Sequence, residues 1–264
     1  MADEVFLTGA TGFVGGHVLE SLIDSGYAVR ALVRGGLARM DPRPGLEVVG
    51  GDVREGGALV PRMRGCRYLV HVAATYSFAP RDRREMEEVN VAGTRSLLEA
   101  ARIAGIEKAV VTSSSAAVGP LRGGRLATES DWAEVDGASG YHASKVRQER
   151  AALRANLPVV TVLPTAPIGP GDARPTPTGQ MVLDVMRGRI PACVDSAMNV
   201  VAVEDVGRAH VLALQRGRPG QRYLIGGQNL SLAEVMDLVA RQAGRSSPAW
   251  RMPHWVALAA AWAD

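Results

Sequence analysis

The sequence predicts an α/β fold: a doubly wound parallel sheet with a smaller C-terminal region that covers a substrate. Three observations carry that expectation. Short β-branched runs alternate with longer amphipathic stretches up to Leu163, and apolar runs of this kind belong to strands buried on both faces. A glycine-rich turn joins the first run to the first amphipathic stretch. After Pro164 the alternation gives way to a segment dense in Pro and Gly that ends at Gly179.

Glu4–Thr8 reads as the first strand. The helix after it spans about Phe13 to Ser25, where Val14, Val18, Leu19, Leu22 and Ile23 recur at helical spacing, and Gly26 stops it. Tyr27–Val33, Leu46–Val49 and Tyr68–Val72 are the next three strands. A helix follows over 86–104, then a fifth strand at Ala109–Thr112, a helix at Tyr141–Asn156 and a sixth strand at Val159–Leu163. Beyond the Pro/Gly segment, helices are expected at Met181–Arg187, Val203–Gln215 and Leu232–Ala243, with a strand at Arg222–Ile225. Ligands in such sheets bind at the carboxyl ends of the strands, where the candidate residues fall.

Composition narrows the function classes. Of the 30 basic side chains, Lys108 and Lys145 alone are lysine, and the arginines are scattered among acids. No basic stripe for nucleic acid results. Cys66 and Cys193 lie far apart and the five histidines are dispersed, so neither a disulfide framework nor a metal site is expected. The chain enters its first strand without a charged leader, and no apolar run reaches the roughly 18 residues of a membrane span. The expectation is a soluble cytoplasmic protein.

Residues 8–15, Thr-Gly-Ala-Thr-Gly-Phe-Val-Gly, place Gly9, Gly12 and Gly15 in a GxxGxxG spacing, one residue wider than the Rossmann GxGxxG. Such a turn lets the backbone approach a pyrophosphate and points a helix N-terminus at it. Gly9, Thr11, Gly12, Phe13, Val14 and Gly15 are therefore candidate dinucleotide contacts. An acidic residue at the end of the second strand would hold the ribose hydroxyls of NAD, but that position reads Val33-Arg34. Arg34 suits the 2′-phosphate of NADP, so NADP is the expected cofactor and NAD the alternative. Asp52 and Val53, after the third strand, are placed at the adenine edge. Ala73, Ala74 and Thr75, after the fourth, leave small side chains along the cofactor's path.

Tyr141 and Lys145 stand four apart in YHASK and share a helix face. A nearby ammonium favours tyrosinate and is expected to lower the Tyr141 pKa toward neutrality, making it a general acid and base. A compact ammonium can also reach a ribose hydroxyl, a task arginine does not replace.

The segments TGATGFVG, VVTSSSAAVG and YHASK, together with Asn90 in EVNVAGT, resemble the extended short-chain dehydrogenase/reductase family over nearly the whole chain. Within it, LPTAPIGPGDARPTPTGQ and NVVAVEDVGRAHVLALQRGRPGQRYLIGGQNLSL look like the hopanoid-associated sugar epimerases, which are similar to dihydroflavonol reductases. VRALVR around Arg34 is similar to the NADP-binding strand of those reductases. The resemblance implies a Ser–Tyr–Lys catalytic set, and cofactor contacts from Pro164, Thr165, Ala166 and Pro167. In the resembling enzymes the catalytic hydroxyl lies five residues before a glycine that ends the segment. Counting back from Gly119 gives Ser114, with Ser115 as the alternative. Sugar 4,6-dehydratases of the family carry an Asp-Glu pair immediately after that hydroxyl, where this chain has Ser115 and Ala116. Dehydration is thereby disfavoured. A reductase acting on a carbonyl substrate and an epimerase acting on a nucleotide- or lipid-linked sugar both remain. A non-catalytic NADP sensor usually lacks the Tyr or the Lys, and both are present.

The expected organisation is 1–165 for NADP binding and 166–264 for the substrate, interleaved with the last sheet strands. Arg174, in the loop after Pro170, is a candidate contact for an anionic substrate. An apolar helix at 254–262 reads either as a truncated element or as a peripheral membrane or partner contact. The family resemblance implies a homodimer through the helices at 86–104 and 141–156.

Overall fold

The strands bury both faces, and their side-chain alternation shows how. In β1 (Glu4–Thr8), Val5 and Leu7 enter one core cluster while Phe6 enters another. Val29 and Ala31 of β2 (Ala28–Val33) join Leu7, and Leu32 joins Phe6. Successive residues of a strand point to opposite faces, so a run apolar at every position needs a layer of helices on each side. The helices supply those layers. α1 (Phe13–Asp24) and α7 (Val203–Arg216) place Val18, Leu19, Leu22, Val211 and Leu214 on the Leu7 side. α2 (Gly56–Met63), α4 (Thr94–Ala104) and α5 (Gly140–Leu153) place Leu59, Met63, Leu97, Leu98, Ala101 and Ala152 on the Phe6 side.

This computed structural model describes residues 3–35, 40–41, 43–119, 125–136, 140–248 and 250–252. Its main sheet runs in the order β3-β2-β1-β4-β5-β6-β10. Here β3 is Leu46–Gly50, β4 Tyr68–His71, β5 Lys108–Thr112, β6 Val159–Pro164 and β10 Arg222–Ile225. Every neighbouring pair is parallel, which is the doubly wound α/β architecture the alternation predicts.

Two compact units form. One comprises the chain up to Thr165 together with Val203–Ile225, so α7 and β10 belong with the main sheet. The other comprises Ala166–Ala202 and the described residues from Gly226 onward. It contains a three-stranded sheet, β11-β9-β7 (Gln228–Ser231, Ala197–Ala202, Ala166–Ile168), and a parallel pair, β12-β8 (Trp250–Met252, Ala192–Val194). α6 (Pro177–Met186) and α8 (Leu232–Gln242) pack there through Val185, Met236 and Ala240 around Cys193. Ser231 and Glu234 start α8 with a reciprocal capping box, which satisfies two of its open N-terminal donors.

Three expectations need correction. The single helix over 86–104 is three pieces: α3 (Arg83–Met86), a π-helical segment at Glu87–Gly93, and α4. The periodicity of that stretch could not reveal the wider turn. α2 was not expected; it is short and carries Pro61 inside it. α6 starts at Pro177 rather than Met181, because Thr176 caps it and Pro177 occupies its first turn. Among the described residues no helix is long and apolar enough to cross a membrane. The helix expected at 254–262 lies outside the described residues.

Candidate active site

The chain runs from β1 outward through β2 and β3, then crosses back to β4 on the other side of β1. Such a reversal opens a crevice at the carboxyl ends of the two central strands. Gly9 lies at its floor with φ +82°, and a Cβ there would sit 2.6 Å from the Ala73 backbone nitrogen. A Cβ at Gly15 would overlap the Gly9 carbonyl oxygen. Gly12 is the N-cap of α1 and offers no capping side chain. The first bond into the helix is made by Gly16 N to Gly12 O, at 2.8 Å. The amides of Phe13, Val14 and Gly15 precede it and have no intrahelical acceptor. Open donors at the positive end of a helix dipole, floored by glycines whose Cβ atoms would fill the space, fit a dinucleotide diphosphate. Thr11 is exposed beside them.

Arg34 follows β2 and is exposed. The Asp52 carboxylate accepts from Arg54 Nε (3.0 Å), Nη2 (2.6 Å) and backbone N (2.9 Å). That Arg54 pairing holds its carboxyl below the usual range, and the nearby charge of Arg34 adds to the effect. The Val53 side chain packs into the core with Leu32 and Leu97.

Past β4, Ala73 N donates to Thr8 Oγ1 at 3.3 Å. Thr75 is clasped by the buried Asn90: its N–H donates to Oδ1 at 2.8 Å, and Nδ2 donates to its carbonyl at 2.9 Å. Asn90 sits in the π-helical segment, and its Nδ2 also donates to Ser144 Oγ at 3.1 Å. Ser144 in turn donates to the Tyr141 carbonyl at 2.8 Å. Asn90 thereby ties the β4 loop to the first turn of α5.

That turn carries Tyr141. Of the three consecutive serines, Ser114 hydrogen-bonds the Tyr141 hydroxyl, and its Oγ accepts from Ala116 N at 3.2 Å. Ser113 points elsewhere and donates to Glu149 at 2.8 Å. Ser115 opens a short 3-10 turn with Ala116 and Ala117. Burial pushes the Tyr141 pKa up to about 12, while the Ser114 hydrogen bond opposes that rise. The expectation of a phenol lowered by the neighbouring ammonium is thus corrected, because desolvation of the ring outweighs the other influences. Lys145 is buried, with Nζ donating to Thr112 O at 2.9 Å and Gln148 Oε1 at 2.5 Å. Burial brings its pKa down to about 8, against the pull of Glu149.

Sequence reasoning missed the aromatic surroundings of Tyr141. Tyr76 and Phe78, in the loop after β4, lie with ring centroids 4.4 and 5.7 Å from it, and the His142 ring lies at 5.8 Å. Tyr76 is 43% exposed and Phe78 52%, so both rings of this wall keep accessible apolar surface. The alternation Thr75-Tyr76-Ser77-Phe78 directly after the two alanines was the available signal. Pro164 ends β6, and Thr165 N donates to Ile225 O at 3.0 Å. Ala166 and Pro167 open β7, and Arg174 is exposed, all within the second unit.

The sequence profile of the NAD dependent epimerase/dehydratase family matches residues 5–226. The chain is 41% identical to a Synechocystis sp. protein described as "Putative dihydroflavonol 4-reductase", over all of this chain and 79% of that protein. It is 34% identical to sterol demethylase protein B of Methylococcus capsulatus, over 94% of this chain and 76% of that protein. The solved structure of the protein gox2253 superimposes with a TM-score of 0.90 at 39% identity, covering 99% of this chain and 82% of that one. With a Rossmann-type sheet, a glycine cradle at its switch point and a profile match across most of its length, the chain belongs to the NAD dependent epimerase/dehydratase family, the extended branch of the short-chain dehydrogenases/reductases, and is an NAD(P)-dependent enzyme.

Proposed function

We propose that the chain is an NADP(H)-dependent reductase acting on an apolar, ring-bearing carbonyl compound. The observation that carries this reading is the setting of Tyr141: its hydroxyl is bonded to Ser114 and its ring is walled by Tyr76, Phe78 and His142. When bound, the nicotinamide supplies the hydride. A phenol held above its ordinary pKa keeps its proton at neutral pH, and reduction of a carbonyl needs that proton on the developing alkoxide. Ser114 orients the substrate oxygen and stabilises its negative charge. Tyr141 delivers its proton to that oxygen, and the Lys145 ammonium stabilises the tyrosinate left behind. The aromatic wall offers flat apolar contact area and none of the cationic donors a diphosphate would need.

Arg34 supports the choice of NADP over NAD. It stands exposed at the end of β2, and no carboxylate occupies that position. Gly9, Gly12, Gly15 and the first-turn amides of α1 hold the diphosphate in this reading. We further infer a cytoplasmic homodimer paired through α4 and α5, which a solution mass measurement checks. A nucleotide- or lipid-linked-sugar epimerase is the second reading, favoured by the description of the family whose profile matches. A screen of NADPH oxidation against ring ketones, small aldehydes and sugar nucleotides separates them. A reductase consumes NADPH with a ring ketone. Cofactor retained through gel filtration, with no net consumption on any carbonyl, overturns the reductase.

A further inference from the structure

A buried ammonium is tolerated where its donors find acceptors. Lys145 is 2% exposed and has two acceptors in the structure: the Thr112 carbonyl and the side-chain carbonyl of Gln148. Gln148 is itself 1% exposed, and its orientation is fixed from behind. Its Nε2 donates to Thr94 Oγ1 at 3.0 Å. The Thr94 proton is already committed to the Asn90 carbonyl at 2.6 Å, so the Thr94 oxygen can only accept. A flipped amide would set an NH2 group against the ammonium and a carbonyl against an oxygen without a proton. The same logic fixes His71, whose Nε2 lies 2.8 Å from Thr94 Oγ1 and must donate to it. His71 Nδ1 then accepts from Thr8 Oγ1 at 2.7 Å. Hydrogen bonds of fixed direction therefore converge on the Thr94 oxygen, one series from Thr8 at the floor of the crevice through His71 and the other from Gln148.

Other charged and titratable groups near Lys145 are accounted for. Glu149 adjoins Gln148 on α5, but its carboxylate is engaged by Ser113, Thr161 and Arg222 of β10. His71 of β4 is kept neutral by burial. His210 of α7 is also kept neutral by burial and bonds the Thr112 hydroxyl rather than its carbonyl. Tyr141 lies one turn back on α5.

We propose that Gln148 is the positioning residue of Lys145: its amide, locked by Thr94, pins the ammonium against the Thr112 carbonyl and keeps it charged while leaving one N–H uncommitted. A neutral amide is the group this task requires. A carboxylate would hold the ammonium as an ion pair and cancel its charge; an apolar side chain would leave a buried cation with one acceptor. The inference rests on Lys145 being the cation of the reacting set, but its test does not.

The chain has two lysines, Lys108 and Lys145, so protein labelled with 13C at lysine Cε gives two resonances, assigned with K108R. The titration of Lys145 is then read directly, without substrate or cofactor. Q148M, which keeps length and removes the acceptor, is expected to lower the Lys145 midpoint by about one pH unit or more. Q148E, which keeps the acceptor and adds charge, is expected to raise it by a similar amount and serves if Q148M fails to fold. Midpoints in Q148M and Q148E that stay within about 0.3 pH unit of the parent overturn the proposal. Failure there leaves the reductase reading intact, and failure to find a reducible carbonyl leaves this result intact.

Discussion

Arg222 grips the fully buried Glu149 with both sides of its guanidinium, Nε to Oε1 at 2.9 Å and Nη2 to Oε2 at 3.2 Å. The same group donates to the carbonyls of Ala117, Glu129 and Asp131 and lies 3.7 Å from the Trp132 ring centroid. It therefore straps the loop at 129–132 and the turn behind Ser114 to the sheet edge. Removing one partner leaves a buried charge alone, at about 3–5 kcal/mol. Arg222→Met should lower unfolding free energy by that amount in urea titrations. Arg222→Lys should restore little of it, since an ammonium cannot make the planar, stacked contacts.

Buried His71 and His210 give the stability a pH dependence with a defined sign. Desolvation lowers their pKa values to about 3 and about 4, while the unfolded chain keeps the ordinary value near 6.5. Depressed folded values mean that the unfolded state takes up protons first. Stability is full above about pH 6.5 and is lost as pH falls, through about 4 for His210 and about 3 for His71, at about 1.4 kcal/mol per pH unit per histidine. Urea midpoints at pH 7.5 and pH 5 should differ in that direction. Their hydrogen bonds also assign opposite tautomers. His210 Nδ1 donates to the Val206 carbonyl, whereas His71 donates from Nε2; 15N spectra of labelled histidine check both.

Among the serines, substitution should separate Ser114 from its neighbours. Tyr141→Phe should reduce turnover by about 10²–10⁴-fold, and Ser114→Ala by about 10²-fold. Ser115→Ala should leave kcat within about threefold of the parent. An assay of NADPH oxidation with a reducible ketone reads all three, and full activity in Tyr141→Phe removes the proposed acid.

The proposed NADP preference rests on Arg34. Arg34→Ala should weaken NADPH binding by about 10–100-fold, the range of a charge-assisted hydrogen bond, and leave NADH nearly unchanged. Fluorescence titration with the two reduced coenzymes gives the ratio, and equal losses for both refute a 2′-phosphate contact.

The aromatic wall should act on binding more than on chemistry. Tyr76→Ala and Phe78→Ala are each expected to raise KM for a ring ketone about tenfold with little change in kcat. No change in KM for any accepted substrate would place the ligand elsewhere.

Strand runs such as Val5–Leu7 and Ala109–Val111 were legible because apolar side chains at every position admit one solution, a sheet covered twice. The glycine spacing was legible because Gly9 and Gly15 sit where a Cβ does not fit. The scarcity of lysine was informative in both of its instances. Lys108 is partly buried and donates to the carbonyls of Ala213, Leu214 and Gly217 at the end of α7, whereas Lys145 has two acceptors, Thr112 O and Gln148 Oε1. The π-helical segment around Asn90 was not legible, since one wider turn hardly disturbs helical periodicity. Nor were the three-residue strands β7, β8 and β12, too short to show a pattern. The Tyr141 pKa was misjudged because adjacency to Lys145 is visible in a sequence, whereas the depth of a ring is not.

The return of residues 203–225 to the first unit constrains the order in which the protein can be completed. Synthesis runs from the N-terminus and domains fold as units as they emerge. Glu149 leaves the ribosome 73 residues before Arg222, and β6 leaves before the strand that pairs its outer edge. Throughout that interval the nascent sheet has an open edge, a surface prone to pairing with other chains, and a carboxylate without its cation. The whole of Ala166–Ala202 and then α7 must be translated before β10 can close the sheet, so the inserted segment lengthens the window of risk during biosynthesis.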